Sequence, residues 1–441
     1  MDSLPLTRVV VVGGGAGGLE LVTRLGRRYA RDPSVEVTLV DRGYSHVWKP
    51  LLHEVAAGTL NSSTDELSYL AQAHWNNFEF RVGALLGIDR EAKTVTIAAT
   101  RDAKGREYIP ERTLPYTYLV LAIGSVTNDF GIEGVAEHCL FLDAREQADA
   151  FHQHLVRACY AANAQAESIR PGQLHIAVAG AGATGVELAA ELHHSLHTLV
   201  GFGLDRIDVE RDVRIHLIEG SPRILPGLPE QVSRGTHEIL ERIGVIVHTG
   251  ERVTRATADG LETASGRFIP AEIKVWAAGI RGPAVLGTLD GLEVNRSNQL
   301  MVRPTLQTTL DDDIFAFGDC AACPATDGRQ VPPRAQAAHQ QASLLVQSIE
   351  KRRRGEALSP YEYRDFGSLI NLSKHSAIGN LMGNLFGRHP TNWPMEGLLA
   401  RWAYLSLYKM HQMAVQGLLR TALTTAADAL TRSSKPRLKL H

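Results

Sequence analysis

Short runs of consecutive hydrophobic residues, each ending in glycine or an acidic residue, recur along the chain. Val9 to Val12 are four valines followed by glycines, and residues 118–123 form a similar run that ends at Gly124. Runs of four to eight apolar residues bounded by turn residues are typical of strands buried on both faces of a parallel sheet. Between them, apolar residues recur every three or four positions, as in helices packed on a sheet. The pattern predicts an α/β fold with parallel strands.

The first strand, helix and strand form a unit with a glycine-rich turn. Gly13 permits the tight turn, Gly15 lets a pyrophosphate approach the backbone, and Gly18 allows the helix to pack closely on the strand. A second strand at 35–40 ends at Asp41, whose carboxylate is placed to accept a hydrogen bond from a ribose hydroxyl. The N-terminus of the helix supplies free N–H groups for phosphates. The unit predicts a dinucleotide-binding site.

The same unit recurs in the middle of the chain. Gly180, Gly182 and Gly185 follow a predicted strand, and a later strand ends at Glu219. This acid comes late because residues 198–212 are predicted to form an inserted loop or a helix extension. A single GxGxxG pattern is weak evidence, whereas two complete units in one chain are specific. The sequence therefore predicts two Rossmann-like dinucleotide-binding domains.

Three further buried strands end in glycine. Two of these runs end at Gly124 and Gly279, one after each unit, and a later run ends at Gly318 and Asp319. This organisation resembles the flavoproteins that have two dinucleotide-binding domains. The resemblance implies non-covalent FAD at the first site and NADH as substrate at the second. It also implies that the last strand returns to the flavin, where Asp319 holds the ribityl chain.

The segment after Pro333 distinguishes among these flavoproteins. Alanines at helical spacing predict a helix that begins there, with Gln336 and Gln340 one turn apart on one face. Spacing alone leaves open an ordinary core-packing helix. The segment also matches the AQxAxQ motif of type II NADH:quinone oxidoreductases, and residues 46–58 and 401–412 are similar to that family as well. In that family the helix directs its N-terminus at the flavin, and its glutamines border the quinone pocket.

The resemblance implies a set of site residues. Those expected to act in the reaction are Glu187, Gln336, Gln340 and Lys374. Those expected to bind the cofactors are Gly13, Gly15, Ala16, Gly17, Gly18, Asp41, Lys49, Ala122, Gly124, Gly180, Gly182, Gly185, Glu219, Gly279, Gly318, Asp319 and Ala338. Glu187 is expected to face the nicotinamide and the flavin, where a carboxylate orients the carboxamide or relays protons. Glu219 is expected to favour NADH over NADPH, a preference that nearby Arg223 could weaken. Residue type alone leaves open that Glu187 and Lys374 are solvated surface residues.

The cysteines do not predict thiol chemistry. Cys320 and Cys323 form a CxxC pair, but this pair follows the last strand, whereas disulfide reductases carry theirs near the first unit or inside the second. We interpret both as small buried thiols, because two further metal ligands are lacking nearby. His193 and His197 lie four residues apart near a helix end and are interpreted as solvated. No metal site is predicted.

The C-terminal region is predicted to reach a membrane from its surface. No run of about 18 apolar residues is present, which excludes an ordinary transmembrane helix. Apolar residues recur at helical spacing at Leu399, Ala403, Leu407, Met410, Ala414 and Leu418, and Arg401, Lys409, Gln412 and Arg420 fall on another side. Trp393, Trp402, Tyr404 and Tyr408 add interfacial aromatics. The pattern predicts an amphipathic interfacial helix, with a core or dimer helix as the alternative.

Charge supports the same interpretation. The net charge of −2 gives no sign of a nucleic-acid partner, yet residues 387–441 hold eight Lys or Arg against two acids. This basic tail suits an anionic lipid surface. We assign residues 1–140 and 286–360 to the FAD-binding domain, 141–285 to the NADH-binding domain and 361–441 to the membrane-associating region.

The resemblance implies a respiratory enzyme that passes electrons from NADH through FAD to a membrane quinone, such as ubiquinone, without pumping protons. Its expected place is the cytoplasmic face of the bacterial inner membrane, as a peripheral protein. The alternatives are a soluble NADH-dependent flavoprotein reductase, a sulfide:quinone-type reductase, and a redox sensor similar to the apoptosis-inducing-factor group. The oligomeric state is left open, with a homodimer as one arrangement.

Overall fold

A computed structural model describes residues 6–61, 66–102, 104–325, 328–373, 376–382, 392–396, 398–431 and 438–439. Lys374 lies outside the described residues. The α-helices in chain order are Ala16–Arg28, Leu52–Ala57, Tyr69–Asn76, Val135–His138, Arg145–Ala164, Ala183–Val200, Val209–Asp212, Glu230–Arg242, Ala335–Arg353, Leu398–Gln416 and Leu418–Thr431. Short 3₁₀ helices are formed by Lys49–Leu51, Ala284–Thr288 and Gly318–Cys320.

Five parallel strands form the first sheet, with the first strand of the chain at its centre. Their order is Ile314–Ala316, Tyr118–Leu121, Thr7–Val12, Val35–Asp41 and Glu79–Val82. Val12 pairs with Leu121 on one side and with Val40 on the other. Because parallel strands end at the same edge of a sheet, the glycine turn after Val12 meets Asp41 and the residues after Leu121 there.

Four parallel strands form the second sheet on the same plan. Their order is Ile246–Thr249, Val213–Glu219, Leu174–Ala179 and Ile273–Trp276. The strand before the second glycine turn is again central, and the helix Ala183–Val200 follows that turn. This confirms the prediction of two Rossmann-like units. The insertion predicted at 198–212 holds the end of that helix and the short helix Val209–Asp212.

Smaller sheets complete the body, all antiparallel except the pair of Leu300–Met301 with Ala321–Ala322, which is parallel. Two have three strands each, Leu85–Asp89, Thr94–Ile97 and Arg112–Pro115 in one, and Val253–Ala256, Gly260–Thr263 and Phe268–Pro270 in the other. Two-stranded pairs join Ser45–His46 with Leu67–Ser68, Thr100–Arg101 with Glu107–Ile109, Val126–Thr127 with Ile280–Arg281, and Leu300–Met301 with Ala321–Ala322. The Val126–Thr127 pair connects the two halves where the chain passes between them.

The C-terminal region consists of a small sheet and two helices. Strands Gly367–Leu372, Ser376–Met382 and Asn392–Glu396 are antiparallel. The sequence predicted one helix continuing through Leu418, and this is wrong, because the helix ends at Gln416 and a second begins at Leu418. Gly417 separates them with φ of 85°, a left-handed conformation that glycine adopts without steric cost.

The first of these two helices packs on the body of the protein. Val415 is fully buried and belongs to the same hydrophobic core as the first sheet. Arg27, from the first helix of the chain, donates to the carbonyl oxygens of Ala414 and Val415. At the end of the chain, Leu438 is buried in the core of the second sheet. Among the described residues, no helix combines the length and the apolar character needed to span a bilayer.

Candidate functional site

The glycines of the first turn have different surroundings. A Cβ on Gly18 would lie 1.8 Å from the carbonyl oxygen of Gly13, so only glycine allows the helix to approach the strand this closely. A Cβ on Gly17 would lie 2.4 Å from the Phe317 ring. By contrast, nothing lies within 4 Å of the Cβ position of Gly15, where the helix begins without a side-chain cap. The backbone N–H groups there are available to an anion.

Asp41 closes this turn. Its carboxylate accepts from the backbone N–H of Gly14 at 2.6 Å and of Gly43 at 2.8 Å. Burial raises the pKa of Asp41, while both hydrogen bonds act in the opposite direction. Asp41 therefore lies at the end of its strand, where its oxygens hold both the glycine turn and the loop that follows Asp41.

The second turn repeats this geometry. A Cβ on Gly185 would lie 1.9 Å from the carbonyl oxygen of Gly180, and nothing lies within 4 Å of the Cβ position of Gly182. Glu219 accepts from Ala181 N–H at 2.9 Å and from Ser221 N–H at 2.8 Å, as Asp41 does from its own loop. We refer to the two turns as the first and second cradles.

The Arg223 guanidinium, four residues after Glu219, binds backbone carbonyl oxygens. Its nitrogens donate to the carbonyl oxygens of Leu225 and Pro226. Gly279, at the end of the neighbouring strand, has φ of 68°, and a Cβ there would lie 2.5 Å from the Phe130 ring. The second cradle is thus lined by Glu219 on one side and by this glycine end on the other.

The late strand returns to the first cradle. Asp319 accepts from the Ser125 hydroxyl at 3.0 Å, and Lys49 donates to the Ser125 carbonyl oxygen at 2.9 Å. Gly318 N–H donates to Gln341 Oε1 at 2.9 Å. Ala122 borders Gly13, and Gly124 has open space at its Cβ position. These contacts bring Lys49, Ser125 and Asp319 together beside the cradle.

The helix Ala335–Arg353, hereafter the glutamine helix, begins as predicted after the two prolines. Ala338 packs beside Gly318, and its carbonyl oxygen lies near Gly17. Gln336 donates to Asp365 Oδ1 and accepts from Phe366 N–H, while Gln340 donates to the Arg364 carbonyl oxygen and accepts from Arg364 N–H. Both glutamines therefore hold the segment that leads into the C-terminal sheet.

Glu187 lies on the helix Ala183–Val200 and is buried among polar side chains. It accepts from Asn371 N–H at 3.0 Å, and its other oxygen lies 3.8 Å from His53 Nδ1. Burial, together with the neighbouring charge of Glu54, raises the pKa of Glu187 to about 8. Burial lowers the pKa of His53 to about 4. At neutral pH, Glu187 is thus a protonated acid beside a neutral imidazole.

Both thiols of the CxxC pair are buried. Cys320 lies near the carbonyl oxygens of Leu121 and Phe317 at 3.4 and 3.2 Å, and burial raises its pKa to about 12. Burial raises the pKa of Cys323 to about 11. Because the thiolate is the reactive form, neither is prepared for thiol exchange.

Five residues of the site were missed by the sequence analysis. They are Ser125, Gln341, His53, Glu54 and Asn371. His53 and Glu54 fall within the 46–58 stretch, so that stretch carried a signal for them. Gln341 directly follows the AQxAxQ motif, but nothing in the sequence shows that its side chain turns toward Gly318.

The geometry defines a protein with two dinucleotide-binding folds in one chain. The sequence profile of the pyridine nucleotide-disulphide oxidoreductase family matches residues 7–342. A type II NADH:quinone oxidoreductase of Haemophilus influenzae is 43% identical, over 99% of this chain and all of that protein. One from Staphylococcus aureus is 29% identical over 85% of this chain and 90% of that protein. The chain belongs to the type II NADH:quinone oxidoreductases, within the pyridine nucleotide-disulphide oxidoreductase family.

Solved structures support the fold. A structure of NDH2 from Plasmodium falciparum in complex with NADH superposes with a TM-score of 0.81 at 17% identity, covering 98% of this chain and all of that one. The sulfide:quinone oxidoreductase of Aquifex aeolicus gives a TM-score of 0.72 at 19% identity, covering 96% and 95%. Similarity at this identity concerns the fold alone.

Two glycine substitutions in the second cradle separate folding from binding. Gly185→Ala should lower the melting temperature by roughly 3–10 °C, because its Cβ would overlap a backbone carbonyl. Gly182→Ala should leave the melting temperature nearly unchanged and weaken NADH binding by about 10-fold or more, because its Cβ occupies space open to the phosphates. Thermal unfolding and NADH titration of each variant test this. The prediction would be wrong if the two variants had the same melting temperature and the same affinity for NADH.

Because burial raises the pKa of Glu187, this residue should make the free energy of unfolding depend on pH. Between pH about 4.5 and 8 the folded protein holds a proton that the unfolded chain has lost, so this group lowers stability as the pH rises. The slope is at most about 1.4 kcal/mol per pH unit. Glu187→Gln should remove it, so the variant should gain stability relative to the unsubstituted protein from pH 5 to 8. Unfolding measured across this range checks the effect, with Glu91→Gln on the surface as control, and parallel slopes for all three proteins would refute it.

Proposed function

We propose that the protein oxidises NADH at the second cradle and reduces a membrane quinone through FAD bound at the first. The observation that carries the proposal is the pair of matching cradles in one chain, each with an acid that accepts from its own loop. Membership of the type II NADH:quinone oxidoreductases supplies the acceptor class. The proposal includes a peripheral position on the cytoplasmic face of the bacterial inner membrane.

The residues of the first cradle fit FAD. The space at Gly15 admits a pyrophosphate to the backbone, and Asp41 offers carboxylate oxygens for a ribose. Lys49, Ser125 and Asp319 form a polar group suited to the ribityl chain and the flavin edge. Bound there, FAD would supply the two-electron redox chemistry that links NADH to the quinone.

The protein's own residues supply protons and selectivity. Glu187 holds a proton at neutral pH, and His53 lies between it and Glu54, with 3.8 Å from His53 Nδ1 to Glu187 and 3.9 Å from His53 Nε2 to Glu54. Quinone reduction consumes two protons, so a buried protonated acid beside the reaction is a useful store. Glu219 repels a 2′-phosphate, and the Arg223 guanidinium is held by the carbonyl oxygens of Leu225 and Pro226 rather than left free to pair with such a phosphate.

The buried thiols argue against the sulfide:quinone alternative. Such an enzyme requires reactive cysteines near the flavin, and burial raises the pKa values of Cys320 and Cys323 far above neutral. The soluble reductase is disfavoured by an exposed apolar surface on the last helix.

That surface is a stripe of leucines on the helix Leu418–Thr431. Leu419, Leu423 and Leu430 are 74%, 62% and 82% exposed, and at 3.6 residues per turn they fall on one side of the helix. Arg420 lies over the ring of the half-exposed Trp75, with 3.9 Å from its guanidinium carbon to the ring centre. A leucine stripe beside a tryptophan and an arginine is typical of a helix that lies in a membrane interface.

Nucleotide preference and acceptor choice test the redox assignment. Steady-state NADH oxidation by the FAD-loaded protein should proceed with long-tailed quinones and be much slower with NADPH. Glu219→Gln should shift the kcat/KM ratio toward NADPH by roughly 10-fold, because it removes the charge that repels a 2′-phosphate. Turnover with sulfide, or with water-soluble acceptors alone, would favour the alternatives instead.

Point substitutions test the membrane surface better than deletion of residues 390–441, because that deletion also removes the buried Val415 and Leu438. The double change Leu419→Ser and Leu423→Ser should weaken sedimentation with anionic vesicles by about 100-fold, since each buried leucine contributes roughly 1.5–3 kcal/mol. NADH oxidation by soluble acceptors should persist. Leu86→Ser with Leu310→Ser, exposed leucines on the body, is the matched control. Unchanged sedimentation of the first double variant would reject this surface.

A further inference from the structure

A cluster of ionisable side chains lies where three helices meet, behind the first cradle. Glu20 comes from the first helix of the chain, His339 from the glutamine helix and His411 from the helix Leu398–Gln416. Each of these residues offers one potential ligand atom, and the three atoms lie within 4.8 Å of one another. We propose that Glu20, His339 and His411 bind a divalent transition-metal ion of the zinc class.

Glu20 is a carboxylate in an unusual position. It is 1% exposed, although it lies on a helix that has exposed positions available for charge. Its Oε1 contacts the guanidinium of Arg24, and its Oε2 faces His339 Nδ1. A buried carboxylate requires cationic partners or a metal; Arg24 pairs with one oxygen of Glu20, and the other oxygen is directed at an imidazole rather than at solvent.

The hydrogen bonds of His46 and His411 show which ring nitrogen of His411 has a free lone pair. His46 Nδ1 lies 2.9 Å from the carbonyl oxygen of Gly14, which can only accept, so Nδ1 of the neutral ring carries the proton and Nε2 accepts. His46 Nε2 lies 3.0 Å from His411 Nε2, which must therefore donate. His411 Nδ1 is left as an unprotonated nitrogen with a lone pair.

That nitrogen has no hydrogen-bond partner within the part of the chain that the structure describes, and His411 is only 2% exposed. Such a group is costly to bury unless something accepts its lone pair. A metal ion would do so. His46 would then serve as the outer partner that fixes the tautomer of a metal-bound histidine, and the Trp48 ring, 4.0 Å from the His411 ring centre, would hold its orientation.

The donor set indicates the class of ion. Two imidazole nitrogens and one carboxylate oxygen suit Zn²⁺ and related ions, whereas Mg²⁺ and Ca²⁺ prefer oxygen ligands. Bond lengths of about 2.0–2.2 Å place neighbouring ligand atoms of a tetrahedral ion roughly 3.3 Å apart. Glu20 Oε2 and His339 Nδ1 are in direct contact, so the ion would replace the proton between them and move these two atoms slightly apart, while the ligand atom of His411, at most 4.8 Å from theirs, would move closer. The ion would fasten the helix before the leucine stripe to the FAD-binding body.

Metal titration of the full-length, FAD-loaded protein tests the proposal. After dialysis against a chelator, Zn²⁺ added in competition with a chromophoric chelator should bind at one equivalent per chain. Glu20→Gln and His411→Gln should each weaken binding by about 100-fold or more, and His46→Gln by roughly 10–100-fold. His193→Gln with His197→Gln, which alters a more exposed histidine pair, is the matched control and should leave affinity unchanged.

X-ray absorption at the zinc edge identifies the ligands independently of any variant. Only nitrogen and oxygen neighbours at about 2.0–2.2 Å are expected. A sulfur neighbour at about 2.3 Å would place the ion at the cysteines and overturn the proposal. So would the absence of stoichiometric binding by the unsubstituted protein, or a loss of binding confined to the His193 and His197 variant. Flavin absorbance and melting temperature show whether each variant remains folded.

Discussion

The close approach of a helix to a strand at each glycine turn is the constraint on which the rest of the molecule depends. Gly18 and Gly185 bring their helices within a distance that no Cβ would permit. This contact directs the N-terminus of each crossover helix at the carboxyl edge of its sheet, where unpaired N–H groups attract phosphates. Asp41 and Glu219 then hold the loops by the same pair of backbone hydrogen bonds.

Other parts of the chain close on the two cradles. The late strand brings Asp319 to Ser125, and the glutamine helix brings Gln341 to Gly318. On the side of the second unit, Glu187 is enclosed by residues from the 46–58 stretch and from the C-terminal sheet. This enclosure removes water from the carboxyl group, and it is desolvation that keeps the proton on it near neutral pH.

One part of the C-terminal region packs on the body of the protein, and another part is exposed. Val415 and Leu438 are buried in the two main cores, while the leucines of the last helix are exposed. Gly417 separates these roles, because the chain changes direction there between a helix packed on the body and one that faces outward. A metal ion at Glu20, His339 and His411 would reinforce the packed half without altering the exposed one.

The sequence by itself determined both cradles, their acids, the parallel sheets and the start of the glutamine helix. These features depend on local patterns: glycine spacing, buried runs and prolines before a helix. It also contained the signal for the helix end at Gly417, since glycine commonly follows a helix, but the amphipathic spacing across that position obscured it.

Only the tertiary structure decided the surroundings of side chains that are distant in sequence. Nothing near Glu187 in the chain shows that its pKa rises to about 8, because the enclosing residues come from two other segments. The same holds for Glu20, His339 and His411, which are 319 and 72 residues apart along the chain and meet only when three helices pack. Desolvation and ligand geometry are properties of packing, so residue spacing alone could not reveal them.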